Sequence, residues 1–174
     1  MLSITSFINH SKFGLVNFLL LPFSAIFFIF SYIRLCLYKV RLLKVSVSSV
    51  PVIVIGNITA GGTGKTPIVI AVANYFASRN KIVGVVSRGY GGEYAQESLE
   101  VTSTSDPIDC GDEPLLIKQQ TEAFVVVAKK RSNAVKFLTE NYSVDLIISD
   151  DGLQHYAMGR DIEIAVIDGH NRLG

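Results

Sequence analysis

Gly56-Asn57-Ile58-Thr59-Ala60-Gly61-Gly62-Thr63-Gly64-Lys65-Thr66-Pro67 separates an apolar run, Val50-Pro51-Val52-Ile53-Val54-Ile55, from an amphipathic run extending from Ile68 to Ala77. The first run reads as a strand and the second as a helix, so Gly64-Lys65-Thr66 stands where a strand turns into a helix. That is the setting of a phosphate-binding loop. In such a loop Gly61, Gly62, Thr63 and Gly64 turn backbone N–H groups toward a phosphate, and the helix N-terminus adds partial positive charge. Lys65 reaches the β- and γ-phosphates, and the Thr66 hydroxyl can ligate Mg²⁺. The usual spacing, G-x-x-x-x-G-K-[ST], asks for glycine at position 59, where this chain has Thr59. A flexible glycine-rich turn explains the glycines but not Gly-Lys-Thr at this junction.

Outward from the loop, short β-rich runs alternate with helical ones. Val50–Ile55, Ile82–Ser87, Ala123–Ala128, Val144–Ser149 and Ile162–Asp168 read as strands, with Ser98–Thr102 as a short edge strand. Thr66–Ser78, Asp112–Thr121 and Arg131–Tyr142 read as helices, and Asp106–Gly111 as turn-rich. Nearly continuous apolar strands separated by helices predict an α/β fold, a parallel sheet covered on both faces. Ligands of such sheets bind beyond the carboxyl ends of the strands.

The 174 residues suit one domain, two at most, but 49% hydrophobic residues and a mean hydropathy of +0.38 are high for a soluble one. The source is residues 13–33, which hold no charged side chain and as a helix reach about 30 Å, enough to cross a bilayer core. Pro22 is tolerated there at a kink. A cleavable signal peptide fits less well, because the apolar region is long and no small-x-small site follows it. Lys12 precedes the run, and Arg34, Lys39, Arg41 and Lys44 follow it, which keeps the C-terminal side in the cytoplasm. A kinked anchor lying in the interface with the same basic rim is the alternative. The organisation expected is thus an anchor with its basic flank over residues 1–44 and a nucleotide-binding domain over 45–174. Charge is uneven along the chain: no acid precedes Glu93, so residues 1–92 are basic and residues 93–174 acidic, which points to an anionic surface, membrane or nucleic acid. Cys36 and Cys110 have no CxxC or metal spacing and read as free thiols. The chain stops at Arg172-Leu173-Gly174, just after a strand and its turn, and a fragment is the expectation.

Other segments bring chemistry to the ligand edge. Val144 to Ser149 ends in Asp150-Asp151, where a phosphate-loop protein places the acid that holds Mg²⁺, although loop-end Asp residues also serve as turn formers. Gly152-Leu153-Gln154-His155 continues that loop with an amide and an imidazole. Gly111-Asp112-Glu113-Pro114 reads either as a helix start, with an acidic N-cap and Pro at N1, or as the site of a base that takes the proton of an acceptor hydroxyl. Ser87-Arg88-Gly89-Tyr90-Gly91-Gly92 is a mobile turn or a clamp in which Arg88 holds a phosphate and Tyr90 stacks on a sugar. Lys129-Lys130-Arg131 is a solvated basic face or a contact for an anionic substrate.

Taken in order behind one apolar helix, these segments resemble the tetraacyldisaccharide 4′-kinase family of lipid A biosynthesis. The resemblance runs from the anchor to Gly174, and the shifted glycines of the phosphate loop are part of it. It implies a P-loop kinase at the cytoplasmic face of the bacterial inner membrane that uses ATP and Mg²⁺ and has no nucleic-acid partner. Its acceptor would be the 4′-hydroxyl of an anionic lipid, a tetraacylated glucosamine disaccharide 1-phosphate, and its product lipid IVA. Lys65 and Thr66 would bind nucleotide phosphates and Mg²⁺, Asp112 would be the base, and Asp150 and Asp151 would order the metal. Arg88, Tyr90, Glu113, Gln154 and His155 are the substrate-side candidates. The family's chains run well past this one and carry further site residues there, so a membrane-tethered NTPase without a lipid acceptor, or an inactive fragment, are the other readings.

Overall fold

The computed structural model describes residues 15–40, 42–57, 64–90, 92 and 97–167. The chain divides into two units, one ending at Lys44 and the other beginning at Val45.

In the first unit, α1 (Leu15–Lys39) runs unbroken through Pro22. Its Leu20–Lys39 stretch has a mean hydropathy of 2.0 and is largely exposed, and by length and composition it is long and apolar enough to cross a membrane. Phe23, Phe27, Phe28 and Phe30 are all exposed.

The second unit is a three-layer α/β sandwich. In chain order it comprises β1 (Val52–Asn57), α2 (Lys65–Ala77), β2 (Val83–Ser87), β3 (Leu99–Val101), α3 (Pro107–Cys110), α4 (Asp112–Gln120), β4 (Phe124–Val127), α5 (Arg131–Asn141), β5 (Leu146–Asp150) and β6 (Ile162–Val166). The sheet order is β3-β4-β2-β5-β1-β6. β2 and β5 are buried along their whole length, which is why they read as unbroken apolar runs. Alternate side chains supply two cores. Ile53, Ile55, Val85, Val125 and Ile148 pack with Val69 and Ala73 of α2 and Ile117 of α4. Val52, Val54, Val86, Val126 and Ile147 pack with Ala134, Val135 and Leu138 of α5.

One departure from an all-parallel sheet is β3, which pairs antiparallel with β4. Because β2 and β4 are parallel, β3 runs opposite to both. A second correction concerns Asp106–Gly111. It forms the short helix α3, with the Asp106 side chain accepting the Ile108 N–H and Pro in the first turn. The cap of α4 is therefore Gly111, not an acid, and Pro114 is its third residue rather than its first. Gly111 has φ 88° and ψ 155°, a region open essentially to glycine alone. A Cβ there would also stand 2.8 Å from the Tyr90 carbonyl oxygen. That contact seats the start of α4 on the loop after β2, while at its other end the Gln120 carbonyl accepts Asn74 Nδ2 of α2. The acidic first turn of α4 thus faces the carboxyl edge of the sheet, along with the loops after β1, β2 and β5.

Candidate functional site

Register brings the ends of β1 and β5 together. Ile55 pairs with Asp150, and the Asp151 N–H donates to the Ile55 carbonyl at 2.8 Å. Lys65, the first residue of α2, reaches back over this edge. Its Nζ donates to Asn57 Oδ1 at 2.9 Å and lies 3.1 Å from Asp151 Oδ1. The Lys65 side chain is only 16% exposed but the Asp151 side chain is 59% exposed. An ion pair open to water on one side is worth roughly 0–1 kcal/mol, so an arriving phosphate can take Lys65 from Asp151 at little cost. Gly64 precedes Lys65 with φ 76°, and Thr66 follows it half-buried. Gly61, Gly62 and Thr63 lie outside the described residues.

Asp150 and Asp151 are adjacent in sequence and opposite in environment. Asp150 is 1% exposed. Burial pushes its carboxyl up to about 6, the negative charges of Glu113 and Asp151 add to the rise, and Arg131 and Lys65 oppose it. Its Oδ2 is 3.5 Å from Ser87 Oγ, and its Oδ1 is buried with no hydrogen-bond partner among the described residues. Asp151 sits at φ 53°, a left-handed conformation that Asp tolerates better than most residues.

Arg131 departs from its expected surface role. Lys129 and Lys130 are exposed, but Arg131 is 3% exposed. Its Nη2 donates to the carbonyls of Asp150 at 2.9 Å and Asp151 at 3.4 Å. A planar guanidinium suits two carbonyls on one turn, so this residue supports the acidic loop from inside.

The remaining candidates surround this centre. Asp112 and Glu113 are exposed in the first turn of α4, and the effect of Glu113 on Asp150 brings that turn into the same electrostatic field. Arg88 and Tyr90 are exposed on the loop after β2, whose Gly91 and residues 93–96 lie outside the described residues. Gln154 is exposed and His155 half-buried on the loop after β5. Leu153 of that loop rests on Gly56, where a Cβ would come within 2.6 Å of Leu153 Cγ. Only a glycine at the root of the phosphate loop lets the β5 loop lie this close.

The fold and edge chemistry now have a counterpart among known proteins. Residues 16–174 match the model of the tetraacyldisaccharide-1-P 4′-kinase family. The chain belongs to this family. The tetraacyldisaccharide 4′-kinase of Ruthia magnifica subsp. Calyptogena magnifica is 56% identical over 161 residues, 92% of this chain and 51% of that protein. Its namesake from Coxiella burnetii (strain RSA 331 / Henzerling II) is 48% identical over 155 residues, 89% of this chain and 48% of that protein. The crystal structure of LpxK from Aquifex aeolicus in complex with ATP superposes with a TM-score of 0.78 at 32% identity, covering 87% of this chain and 49% of that one. The chain thus spans about half the length of the curated relatives it matches.

Three residues have geometric roles that the motif reading did not assign. Asn57 ends a strand in front of the loop, and its polar side chain at that point was the one available signal. Arg131 was visible only as charge. Arg160, on the segment before β6, donates to backbone carbonyls of the β5 loop, and carbonyl acceptors leave no trace in sequence.

Proposed function

We propose that the protein carrying this chain is the ATP-dependent kinase that phosphorylates the 4′-hydroxyl of a tetraacylated glucosamine disaccharide 1-phosphate, giving lipid IVA. The observation that carries this reading is the Lys65 ammonium held between Asn57 and Asp151 at the mouth of the glycine-rich loop, with buried Asp150 beside it. Membership of the family and the ATP named in the Aquifex aeolicus complex support the choice of nucleotide.

Lys65 and the loop from Gly61 to Gly64 would take the nucleotide phosphates, and the Asp112 carboxylate would receive the acceptor hydroxyl proton. Mg²⁺ is commonly held by one or two carboxylates with substrate phosphates and waters. Asp150, Asp151 and Thr66 fit that pattern. The described residues contain no cluster of three His, Cys, Asp or Glu, which the pattern does not need. Asp150 Oδ1, buried with no hydrogen-bond partner among the described residues, would give such an ion one oxygen ligand. Held by Asp150, Asp151 and Thr66, such an ion would supply charge neutralisation on the transferred phosphoryl group. Arg88, Tyr90, Glu113, Gln154 and His155 are the substrate-side groups. Residues 1–44 would serve as the anchor at the cytoplasmic face of the inner membrane, where the acylated acceptor resides, and residues 45–174 as the nucleotide-binding domain.

The test is Asp112→Ala in the natural-length protein. Turnover should fall by at least about 100-fold, the size of a general-base contribution, with ATP affinity kept. Near-normal turnover removes Asp112 from that role.

A further inference from the structure

The loop from Asp151 to Gly159 bonds to itself and its surroundings through scattered contacts, the His155 N–H to the Gly152 carbonyl at 3.0 Å and the Met158 N–H to the His155 carbonyl at 3.0 Å among them. Its carbonyls need donors, because backbone acceptors buried without partners are costly. One side chain supplies several. Arg160 Nη1 donates to the Leu153 carbonyl at 3.1 Å, Nη2 to the His155 carbonyl, and Nε to the Met158 carbonyl at 3.3 Å. Nη1 also pairs with Glu163 Oε1 at 2.7 Å, and the Arg160 side chain is 13% exposed.

Arg160 is itself well anchored. The next residue, Asp161, accepts the Val52 N–H on its carboxylate at 2.7 Å and donates its own N–H to the Val52 carbonyl at 2.9 Å. The preceding Gly159 N–H donates to the Ser46 carbonyl at 2.8 Å. The guanidinium therefore spans from the β1 scaffold to Leu153, whose side chain lies on Gly56 at the root of the phosphate loop. Asp151, at the start of the same loop, faces Lys65.

We propose that Arg160 is a positioning residue of the nucleotide site: it clamps the β5 loop onto the root of the phosphate loop, so that Leu153 stays on Gly56 and Asp151 stays opposite Lys65. The proposal rests on reading this edge as the nucleotide site. A lysine cannot replace it, because one ammonium does not reproduce the planar fork that meets carbonyls of residues 153, 155 and 158 together.

The test compares Arg160→Ala, Arg160→Lys and Glu163→Gln in the natural-length protein, with Mg-ATP affinity read by titration well below the melting temperature. Arg160→Ala should weaken Mg-ATP binding by about tenfold or more, the scale of one well-made contact set. Arg160→Lys should recover only part of the loss. Millimolar guanidinium, far below denaturing levels, should restore binding to Arg160→Ala, and methylammonium should not. Glu163→Gln keeps the carbonyl bonds and should stay within about twofold of wild type. An Arg160→Ala variant matching wild type within twofold overturns the proposal, and so does a Glu163→Gln variant that reproduces its loss. If Arg160→Ala does not fold, Arg160→Lys decides by the same twofold criterion. A wild type that binds no ATP overturns instead the reading on which the proposal rests.

Discussion

Asp150 is the residue at which stability and site chemistry pull apart. Its carboxyl is raised to about 6 from 3.8, so the folded state favours the protonated form. The associated stability is fully present below the unfolded pKa and is lost as pH rises through about 6. Asparagine at this position does not titrate. The stability of Asp150→Asn relative to wild type should therefore climb between pH 4 and 6 and level off above, by roughly 3 kcal/mol for a shift of about two units. Denaturant unfolding in metal-free buffer at pH 4 and pH 7 checks this, and a pH-independent difference would count against it. The charge of Arg131 persists through this range and adds only a constant offset. That Lys65, Asp150 and Asp151 lie at one sheet edge was legible from sequence, because each stands at or just beyond a strand end. The inward course of Arg131, and the contacts of Asn57 and Arg160, were not, because they depend on which backbone carbonyls the fold leaves nearby.

Among the elements, the loops of the carboxyl edge are packed together by glycines. Gly111 joins α3 to α4, its φ of 88° is one that other residues rarely adopt, and a Cβ on it would meet the Tyr90 carbonyl. Gly111→Ala should destabilise the chain by about 1–3 kcal/mol through backbone strain alone, more with the clash, and thermal melting measures it. An unchanged melting temperature would show that the α3–α4 corner relaxes freely. Cys110 reinforces that corner: its buried thiol lies 3.3 Å from the Asp106 carbonyl and 3.5 Å from the Gly111 carbonyl. The buried central strands were readable because both of their faces are covered. Their ends were less so: β1 runs two residues further than its apolar run because Gly56 and Asn57 pair with Ala165 and Val166 of β6. The direction of β3 was not readable at all, since strand composition carries no sign of which neighbour it will join. For α4, acidic residues beside a proline suggested a side-chain cap, but the corner's backbone geometry required glycine at the cap instead.

At the scale of the whole molecule, the chain divides after Lys44 into a unit holding the apolar α1 and an α/β unit. Phe23, Phe27, Phe28 and Phe30 of α1 are exposed, and burying a side chain of that size is worth about 1.5–3 kcal/mol each. A version lacking residues 1–44 should leave the membrane fraction for the soluble one and keep its ATP affinity. Retention in the membrane fraction would place the lipid contact on the α/β unit. The proposed reaction transfers phosphate at this edge to a lipid rather than to water. The most direct measurement incubates the natural-length protein with γ-labelled ATP, Mg²⁺ and the acylated disaccharide 1-phosphate in detergent micelles, then locates the label. Label should appear on the 4′-position of the lipid and be abolished by Lys65→Ala. ATP turnover that proceeds equally without the lipid, with no label entering it, would contradict the account.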